Sequence, residues 1–319
     1  MKLVHGFTKN GFSRWRNIIT IGGFDGVHVG HKAIIEALQS QSKENAGKNI
    51  IITFMPLPKE FFKKSDFKLL LTQKEKLEIL RNLGVDGVCI IPFTDKISKI
   101  KPLMFLQELW KYFKPFEIVV GYNHHFGKNG EGGFNILKEF AHKKGILLKK
   151  IGKVKTLGFA VSSSRIRQSI SKGEIESANK MLGREYFING RVIRGDGVGR
   201  NISYPTANLS VNSSKKLLPK DGVYAVKVEL DSKIYGGMLY LGKRPTFSEG
   251  NQFSCEVHIL GFKGDIYGRD LKVKLLKRIR KEKKFCSAQS LKNQIMTDEN
   301  TAKKILGSVI TKKGGQCVS

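Results

Sequence analysis

Two histidines three positions apart, His28 and His31, lie in a glycine-rich junction, GGFDGVHVGH at residues 22–31, between an apolar run and a segment with helical periodicity. Where a strand turns into a helix in this way, backbone N–H groups and the positive end of the helix dipole converge, and phosphate binds there in α/β folds. With His28 ahead of His31 on the first turn, both imidazoles are placed to donate hydrogen bonds to a phosphoryl group as negative charge grows in a displacement at phosphorus. Capping and packing is the plainer reading of the pair taken alone. No lysine-bearing GxxxxGK[ST] loop occurs in the chain, so a nucleotide site here is of another kind. A second strand-to-glycine-loop junction, VGYNHHFGKNGEGG at 120–133, and a hydroxyl- and arginine-rich segment, SSSRIR at 162–167, follow in the same half. Arg165 and Arg167 bring a second anion site, because the planar guanidinium fork suits phosphate oxygens.

The second half opens on GRVIRGDGVGRNISYPTANL at 190–209. Its glycines do not have the GxGxxG spacing, and Pro205 argues against the helix that fingerprint needs. Two readings stay open: a backbone cradle whose N–H groups approach phosphates, or a plain glycine-rich hairpin turn. Thr206 and Asn208 stand at alternate positions, so on a strand they face the same side and offer hard oxygens of the type that suits Mg²⁺ beside ATP phosphates. In FSCEVHIL at 253–260, Phe253, Cys255, Val257 and Ile259 alternate with Ser254, Glu256 and His258, which points Glu256 away from the more apolar face. A carboxylate on a rigid strand beside a metal-bound nucleotide is a general base for a hydroxyl nucleophile; a solvated strand glutamate is the plainer alternative. His258 reads as a packing or hydrogen-bonding residue rather than a catalyst.

The elements that must hold these groups change character along the chain. The first half alternates β-branched runs (NIITI, IIITF, VCIIPF, EIVV) with amphipathic segments, including a helix from about His31, TQKEKLEILRNLG and PLMFLQELWKYF, which argues βαβ units on a parallel sheet. In TQKEKLEILRNLG, Leu77, Leu80 and Leu83 recur at helical spacing beside Ile79, Thr72 caps the start and Gly84 ends the helix. SSSRIRQSISKGEIESANKMLGREY reads as one or two short polar helices. FINGRVI, GVYAVKVEL, KIYGGMLYL, FSCEVHIL and LKVKLL then follow between turn residues, as an antiparallel sheet or small barrel. The chain ends in a helical segment and the tail TKKGGQCVS. The domain boundary is placed near 184–188.

Composition bounds the partners. The 319 residues suffice for two ordinary domains, and 40% hydrophobic with 26% charged residues is a globular composition. No apolar run has the roughly 18 residues of a membrane span and no secretory h-region opens the chain, so a cytoplasmic protein is expected. Cys89, Cys255, Cys286 and Cys317 are scattered singly, as free thiols rather than a disulfide framework or zinc site. A formal charge of +30 favours an anionic partner, although the lysines are spread over most of the chain as on a solvated surface.

GGFDGVHVGH, TFMPLP, VGYNHHFG and SSSRIR, in this order and spacing, resemble the N-terminal HxGH nucleotidylyltransferase module of the bacterial bifunctional riboflavin kinase and FMN adenylyltransferases, also called FAD synthetases. GRVIRGDGVGR, YPTANL, DGVYAVKV, GKRPTF, EVHIL and IYGRDLKVKLLKRIRKEKKF resemble the kinase module of the same family, so the resemblance covers nearly the whole chain. It implies an α/β fold: a Rossmann-like nucleotidylyltransferase domain over 1–186, a six-stranded antiparallel β-barrel kinase domain with a C-terminal helix over 187–310, and a flexible tail over 311–319. It implies that riboflavin is phosphorylated to FMN and that AMP is then transferred from ATP to FMN. His28 and His31 would contact ATP phosphates and stabilise the transition state, with Gly22, Phe24, Gly30, Ser163, Ser164 and Arg167 around the nucleotide, and Asn123 and Phe126 on the flavin side. In the kinase module, Gly195, Gly199 and Arg200 would meet ATP, Thr206 and Asn208 would hold Mg²⁺, and Glu256 would act as base. The sequence departs from the family pattern at Met55, Leu57, His124, Ser164 and Ser203. Since most departures fall in the first half, a riboflavin kinase with impaired adenylyl transfer is the alternative reading. ATP, riboflavin and FMN are the implied partners, without a membrane or nucleic acid, for a monomer or transient oligomer. A basic RNA-binding protein on the same scaffold is the reading from another class, and the chain shows no RNP-type aromatic motif to support it.

Overall fold

A computed structural model describes the chain except residues 9, 10, 13, 14, 64–66, 196–203, 244–252 and 312–319. The chain divides into two compact units, Met1–Ser163 and Ser164–Ser319. The first is built on six parallel strands: β1 (Lys2–His5), β2 (Asn17–Ile21), β3 (Lys48–Met55), β4 (Gly87–Pro92), β5 (Glu117–Gly121) and β6 (Leu147–Ile151). Their order is β1-β4-β3-β2-β5-β6. All of β2 and nearly all of β4 and β5 are buried, as a parallel sheet covered on both faces requires. The covering helices are α1 (Val29–Glu44), α2 (Pro58–Lys63), α3 (Gln73–Asn82), α4 (Asp95–Ser98), α5 (Pro102–Phe113) and α6 (Phe134–Lys144). Ile19, Ile52, Ile91 and Ile118 of the strands pack with Phe105 and Leu109 of α5 and Leu137 of α6 in one core.

This order contains a reversal that positions a site. From β2 the chain winds outward through β3 to β4, then returns to place β5 on the other side of β2. Loops leaving the C-terminal ends of β2 and β5 therefore diverge, and the crevice between them is where open α/β sheets bind ligands. The histidine junction follows β2 and the second glycine loop follows β5.

The predicted α3 forms with Thr72 and Glu75 in a reciprocal cap, the Thr72 N–H donating to Glu75 Oε2 at 2.8 Å, and Gly84 follows with φ +72°. Its buried stripe differs from the expected one: Lys76 and Leu80 are buried, whereas Leu77, Ile79 and Leu83 are half-buried. Strand β1 was not expected; three of its four residues are exposed at the sheet edge, so it lacks the apolar run that marks its neighbours. A short hairpin of β7 (Lys155–Thr156) and β8 (Phe159–Ala160) precedes the second unit.

The segment read as polar helices forms α7 (Ser163–Lys172) and α8 (Ile175–Leu182). They are amphipathic rather than polar, since Ile166, Ile170, Ile175, Ala178, Met181 and Leu182 are all buried. Strands β9 (Tyr186–Ile193), β10 (Ala207–Val211), β11 (Gly222–Leu230), β12 (Lys233–Lys243), β13 (Phe253–Ile259) and β14 (Asp270–Arg280) close into a barrel in the order β10-β13-β12-β11-β14-β9, every pair antiparallel. Closure removes the exposed edges of an open sheet. The helix α9 (Ala288–Thr311) lies on the barrel's outer surface, with Ala302 packed in a seam with Val223, Ala225 and Met238. Most of the expected tail, 312–319, lies outside the described residues.

The side chain of Asp298 on α9 is 3% exposed and accepts from Arg280 Nε of β14 at 2.8 Å. Removing one partner of a nearly buried pair leaves the other charge without compensation, and the 20% exposure of Arg280 moderates that cost. Asp298→Ala is expected to destabilise the second unit by about 1–3 kcal/mol, read as an earlier transition in urea unfolding of the full chain.

Candidate active sites

The turn after β2 begins the first constellation. Gly22 N–H donates to Ile52 O of β3, and Phe24, Gly26 and Val27 take left-handed conformations with φ of 48°, 83° and 38°. Phe24, Asp25, Val27 and His28 are all buried, so the turn folds into the unit rather than standing off it. Asp25 anchors it: its Oδ1 accepts from Leu70 N–H at 3.2 Å and Leu71 N–H at 3.4 Å, and its carbonyl accepts from Ser163 Oγ at 2.8 Å.

His28 is the N-cap of α1, and the two histidines cap each other. His31 N–H donates to His28 Nδ1 at 3.3 Å, and His28 N–H donates to His31 Nδ1 at 3.4 Å. A ring nitrogen that accepts carries no proton, so this geometry leaves the proton of each imidazole on Nε2. The rings stack with centroids 3.7 Å apart and planes 14° apart. Gly30 leaves room for this arrangement, since a Cβ there would lie a tight 3.2 Å from His28 Cε1 and Nδ1. Phe24 backs His31 with a centroid distance of 4.8 Å, and Gly22 admits the Phe24 ring, which a Cβ would meet at 3.2 Å. Two imidazole N–H donors at the start of a helix are suited to oxygens on which charge accumulates.

Across the crevice, the loop after β5 is closed by mutual backbone bonds between Phe126 and Gly132, at 2.8 and 2.9 Å. Asn123 is exposed, and its carbonyl lies 3.0 Å from His125 Nδ1. Phe126 is buried in the core against Phe105, with His124 stacked on it at 5.5 Å. His124 Nε2 is buried with no partner among the described residues. Burial, with His125 beside it, lowers the His124 pKa to about 4, so the ring is neutral at physiological pH. Of the other departures, Leu57 is buried and its Cδ2 lies 3.4 Å from where a Cβ on Gly23 would stand, whereas Met55 is exposed. Ser164 is exposed and Arg167 half-buried on the first turns of α7.

The second constellation sits on the barrel. Asn208 of β10 is the register partner of Glu256 of β13, and directly opposed residues share a face. Thr206, two residues earlier, reaches the same carboxylate, with Oγ1 donating to Glu256 Oε2 at 3.0 Å. Ser254 Oγ donates to the other oxygen at 2.7 Å, so hydroxyls orient both ends of the carboxylate. His258 Nδ1 lies 2.9 Å from Pro205 O, which ties the residue before Thr206 to β13 and bears out a hydrogen-bonding role. Gly195 comes against Asn208: a Cβ there would fall 2.1 Å from its Nδ2, so glycine lets this backbone approach. Gly199 and Arg200, like Ser203, lie outside the described residues. On the opposite face of β13, burial raises the Cys255 thiol pKa to about 12 and Glu256 adds to the rise, so it stays protonated.

Sequence reasoning missed Ser254 and the pair Thr53 and Lys76. Ser254 could have been found from its i−2 position on the Glu256 face. Lys76 is 8% exposed and donates from Nζ to Gly23 O at 3.3 Å and Thr53 Oγ1 at 3.2 Å; its signal was a lysine one turn before Leu80 in the apolar stripe. Among the described residues no group of three His, Cys, Asp or Glu side chains converges as a metal cluster, and no helix is long and apolar enough to cross a membrane.

Comparison with known proteins divides the chain at the same place as the chemistry. The FAD synthetase family model matches residues 13–165 and the riboflavin kinase family model matches 182–306. Bifunctional riboflavin kinase/FMN adenylyltransferases of Listeria monocytogenes and Escherichia coli K12 are 33% and 35% identical, over 93% and 91% of this chain and 95% and 93% of their own lengths. A crystal structure titled as a macrolide-efflux protein from Streptococcus pneumoniae superposes with a TM-score of 0.86 at 28% identity, covering 95% of this chain and 99% of that one.

The His124 shift has a sign that can be measured. Between pH about 6.5 and about 4 the unfolded chain binds a proton on this histidine that the folded chain does not, so stability falls as pH falls through that window. His124→Phe is expected to flatten that fall, read from denaturant midpoints at pH 7, 5.5 and 4.5.

Proposed function

This chain belongs to the bifunctional riboflavin kinase/FMN adenylyltransferase family, and we propose that it places its two reactions on the two constellations described above. It phosphorylates riboflavin to FMN with ATP, then transfers AMP from ATP to FMN, yielding FAD and pyrophosphate. Adenylyl transfer is assigned to residues 1–186 and phosphorylation to 187–310. Support comes from one observation above all: two chemically different arrangements, paired imidazole donors and a hydroxyl-oriented carboxylate, fall one within each matched family model.

In the adenylyl step an FMN phosphate oxygen attacks the α-phosphorus of ATP and pyrophosphate leaves. No protein nucleophile is needed. Nε2–H of His28 and Nε2–H of His31 donate to the oxygens where charge builds, and the N-terminus of α1 adds its dipole. Gly22, Phe24, Gly30 and Ser163 shape this end of the site, Ser164 and Arg167 meet nucleotide phosphates, and Asn123 and Phe126 form the flavin side. Neutral His124, with its buried nitrogen, stands in that flavin wall.

In the kinase step Glu256 takes the proton from the riboflavin 5′-hydroxyl as its oxygen attacks the γ-phosphorus and ADP leaves. Ser254 and Thr206 hold the carboxylate in place for that transfer. The Thr206 hydroxyl and the Asn208 carboxamide are hard oxygen donors on one face beside a carboxylate, a set that fits Mg²⁺. When bound, Mg²⁺ supplies neutralisation of phosphate charge. Gly195, Gly199 and Arg200 are assigned to the ATP side. The same reading has the protein work in the cytoplasm as a monomer or transient oligomer.

A second reading, a riboflavin kinase with impaired adenylyl transfer, is favoured by the buried apolar Leu57 beside Gly23. Its signature is FMN that accumulates without FAD.

Separate variants test the division of labour. Glu256→Gln is expected to lower riboflavin phosphorylation by about 10²-fold or more and to leave conversion of added FMN to FAD intact, measured by chromatographic separation of the flavins. His28→Ala is expected to do the reverse. Loss of both reactions in either variant contradicts two independent sites.

A further inference from the structure

We propose that Lys76 is a positioning residue for adenylyl transfer: from beneath the sheet-to-helix turn it holds the Gly23 carbonyl and so keeps His28 and His31 aimed. This deepens the assignment of that reaction to the histidine constellation and rests on it.

The turn between β2 and α1 needs holding. Phe24 and Val27 adopt left-handed φ values of 48° and 38°, a region that L side chains rarely occupy, and such conformations persist only where surrounding contacts determine them. Asp25 supplies the contacts on one side, toward Leu70, Leu71 and Ser163. On the other side the carbonyl of Gly23 accepts from Lys76 Nζ at 3.3 Å and from Thr53 Oγ1 at 3.2 Å, while the same ammonium donates to Thr53 Oγ1 at 3.2 Å. The three groups form a closed triangle joining α3, β3 and the turn.

A buried ammonium is an expensive way to make such a joint. The position one turn before Leu80 would accept an apolar side chain and continue the stripe of α3 toward the core. The charge placed there is used in hydrogen bonds to the turn and to the strand beneath it. The charged groups facing it are Asp25 of the turn and Glu60 of α2. Burial lowers the Lys76 pKa to about 8 against the opposing pull of those two carboxylates, so near neutral pH the joint is charged. As pH rises through about 8 the proton is lost and charge-assisted hydrogen bonds become weaker neutral ones. The turn loosens, and the displacement of His28 and His31 slows the reaction because donor placement matters at the sub-ångström level. The kinase reaction, on the other unit, serves as the internal control.

The test uses the full chain with ATP and Mg²⁺, following FMN to FAD and riboflavin to FMN separately from pH 6.5 to 9.5. Lys76→Met, of similar length and apolar, is expected to lower kcat for FAD formation by about tenfold or more, to leave riboflavin phosphorylation unchanged, and to abolish the decline in FAD formation that wild-type protein shows above pH about 8. Thr53→Val, which removes one corner of the triangle, is expected to lower the same kcat by a smaller factor. A wild-type kcat in Lys76→Met overturns the proposal. So does a kcat reduced equally at every pH with the alkaline decline retained, since a mere folding defect removes active molecules without reshaping the profile. His28→Ala separates the two levels: if it leaves FAD formation unchanged, the site assignment itself fails, whereas a normal Lys76→Met beside an inactive His28→Ala refutes the lysine's role alone.

Discussion

The reciprocal cap between His28 and His31 is the interaction on which the chemistry proposed for the first unit depends. A helix must find partners for its first N–H groups, and most helices use serine, threonine or aspartate. Here the partners are imidazole nitrogens, at 3.3 and 3.4 Å, and the consequence reaches beyond helix stability. Each Nδ1 is occupied as an acceptor, so each ring is left with its proton on Nε2. Local folding thus sets the tautomer of two side chains and stacks them in one operation. Gly30 makes room for the His28 ring, the left-handed turn from Phe24 to Val27 brings the pair to the mouth of the sheet, and the reversal between β2 and β5 opens a crevice there.

The barrel meets a related demand by different means. Phosphoryl transfer to a hydroxyl needs a proton acceptor, which a helix N-terminus with two donors does not provide. In the proposed kinase site antiparallel register would supply it: Asn208 opposite Glu256 and Thr206 two residues away place oxygens from two strands on one face without a helix dipole. The carboxylate is fixed from both ends by hydroxyls, and a strand within a closed barrel gives it a rigid base. In the proposed assignment one site donates hydrogen bonds to developing charge and the other accepts a proton.

Much of this was legible in the residues. Runs such as NIITI and EIVV, and the Thr72 cap with Gly84, mark their elements because burial and capping are local demands. The edge strand Lys2–His5 was not legible, since an exposed edge imposes no apolar pattern. Whether the second half was an open sheet or a closed barrel could not be read from the strands, because closure rests on pairings such as β14 with β9 between segments far apart in sequence. At the proposed sites, residue type and spacing mark His28, His31, Thr206 and Glu256 as candidates beside plainer readings, and the family resemblance decides between them. The mutual capping was not legible, because it depends on the ring orientations of the two histidines. Lys76 was hidden for a different reason: its partners, Gly23 and Thr53, come from a turn and a strand brought to it by the fold.

The paired-donor geometry is tested most directly by nitrogen-15 NMR of histidine-labelled full-length protein near pH 8, before and after addition of Mg²⁺ and a non-hydrolysable ATP analogue. Both His28 and His31 are predicted to show an unprotonated Nδ1 and a protonated Nε2 in the free protein, with both Nε2–H signals moving when the nucleotide binds. A proton on Nδ1 of either ring in the free protein, or Nε2–H signals indifferent to the nucleotide, would contradict the idea that the cap at the start of α1 prepares this site for phosphate.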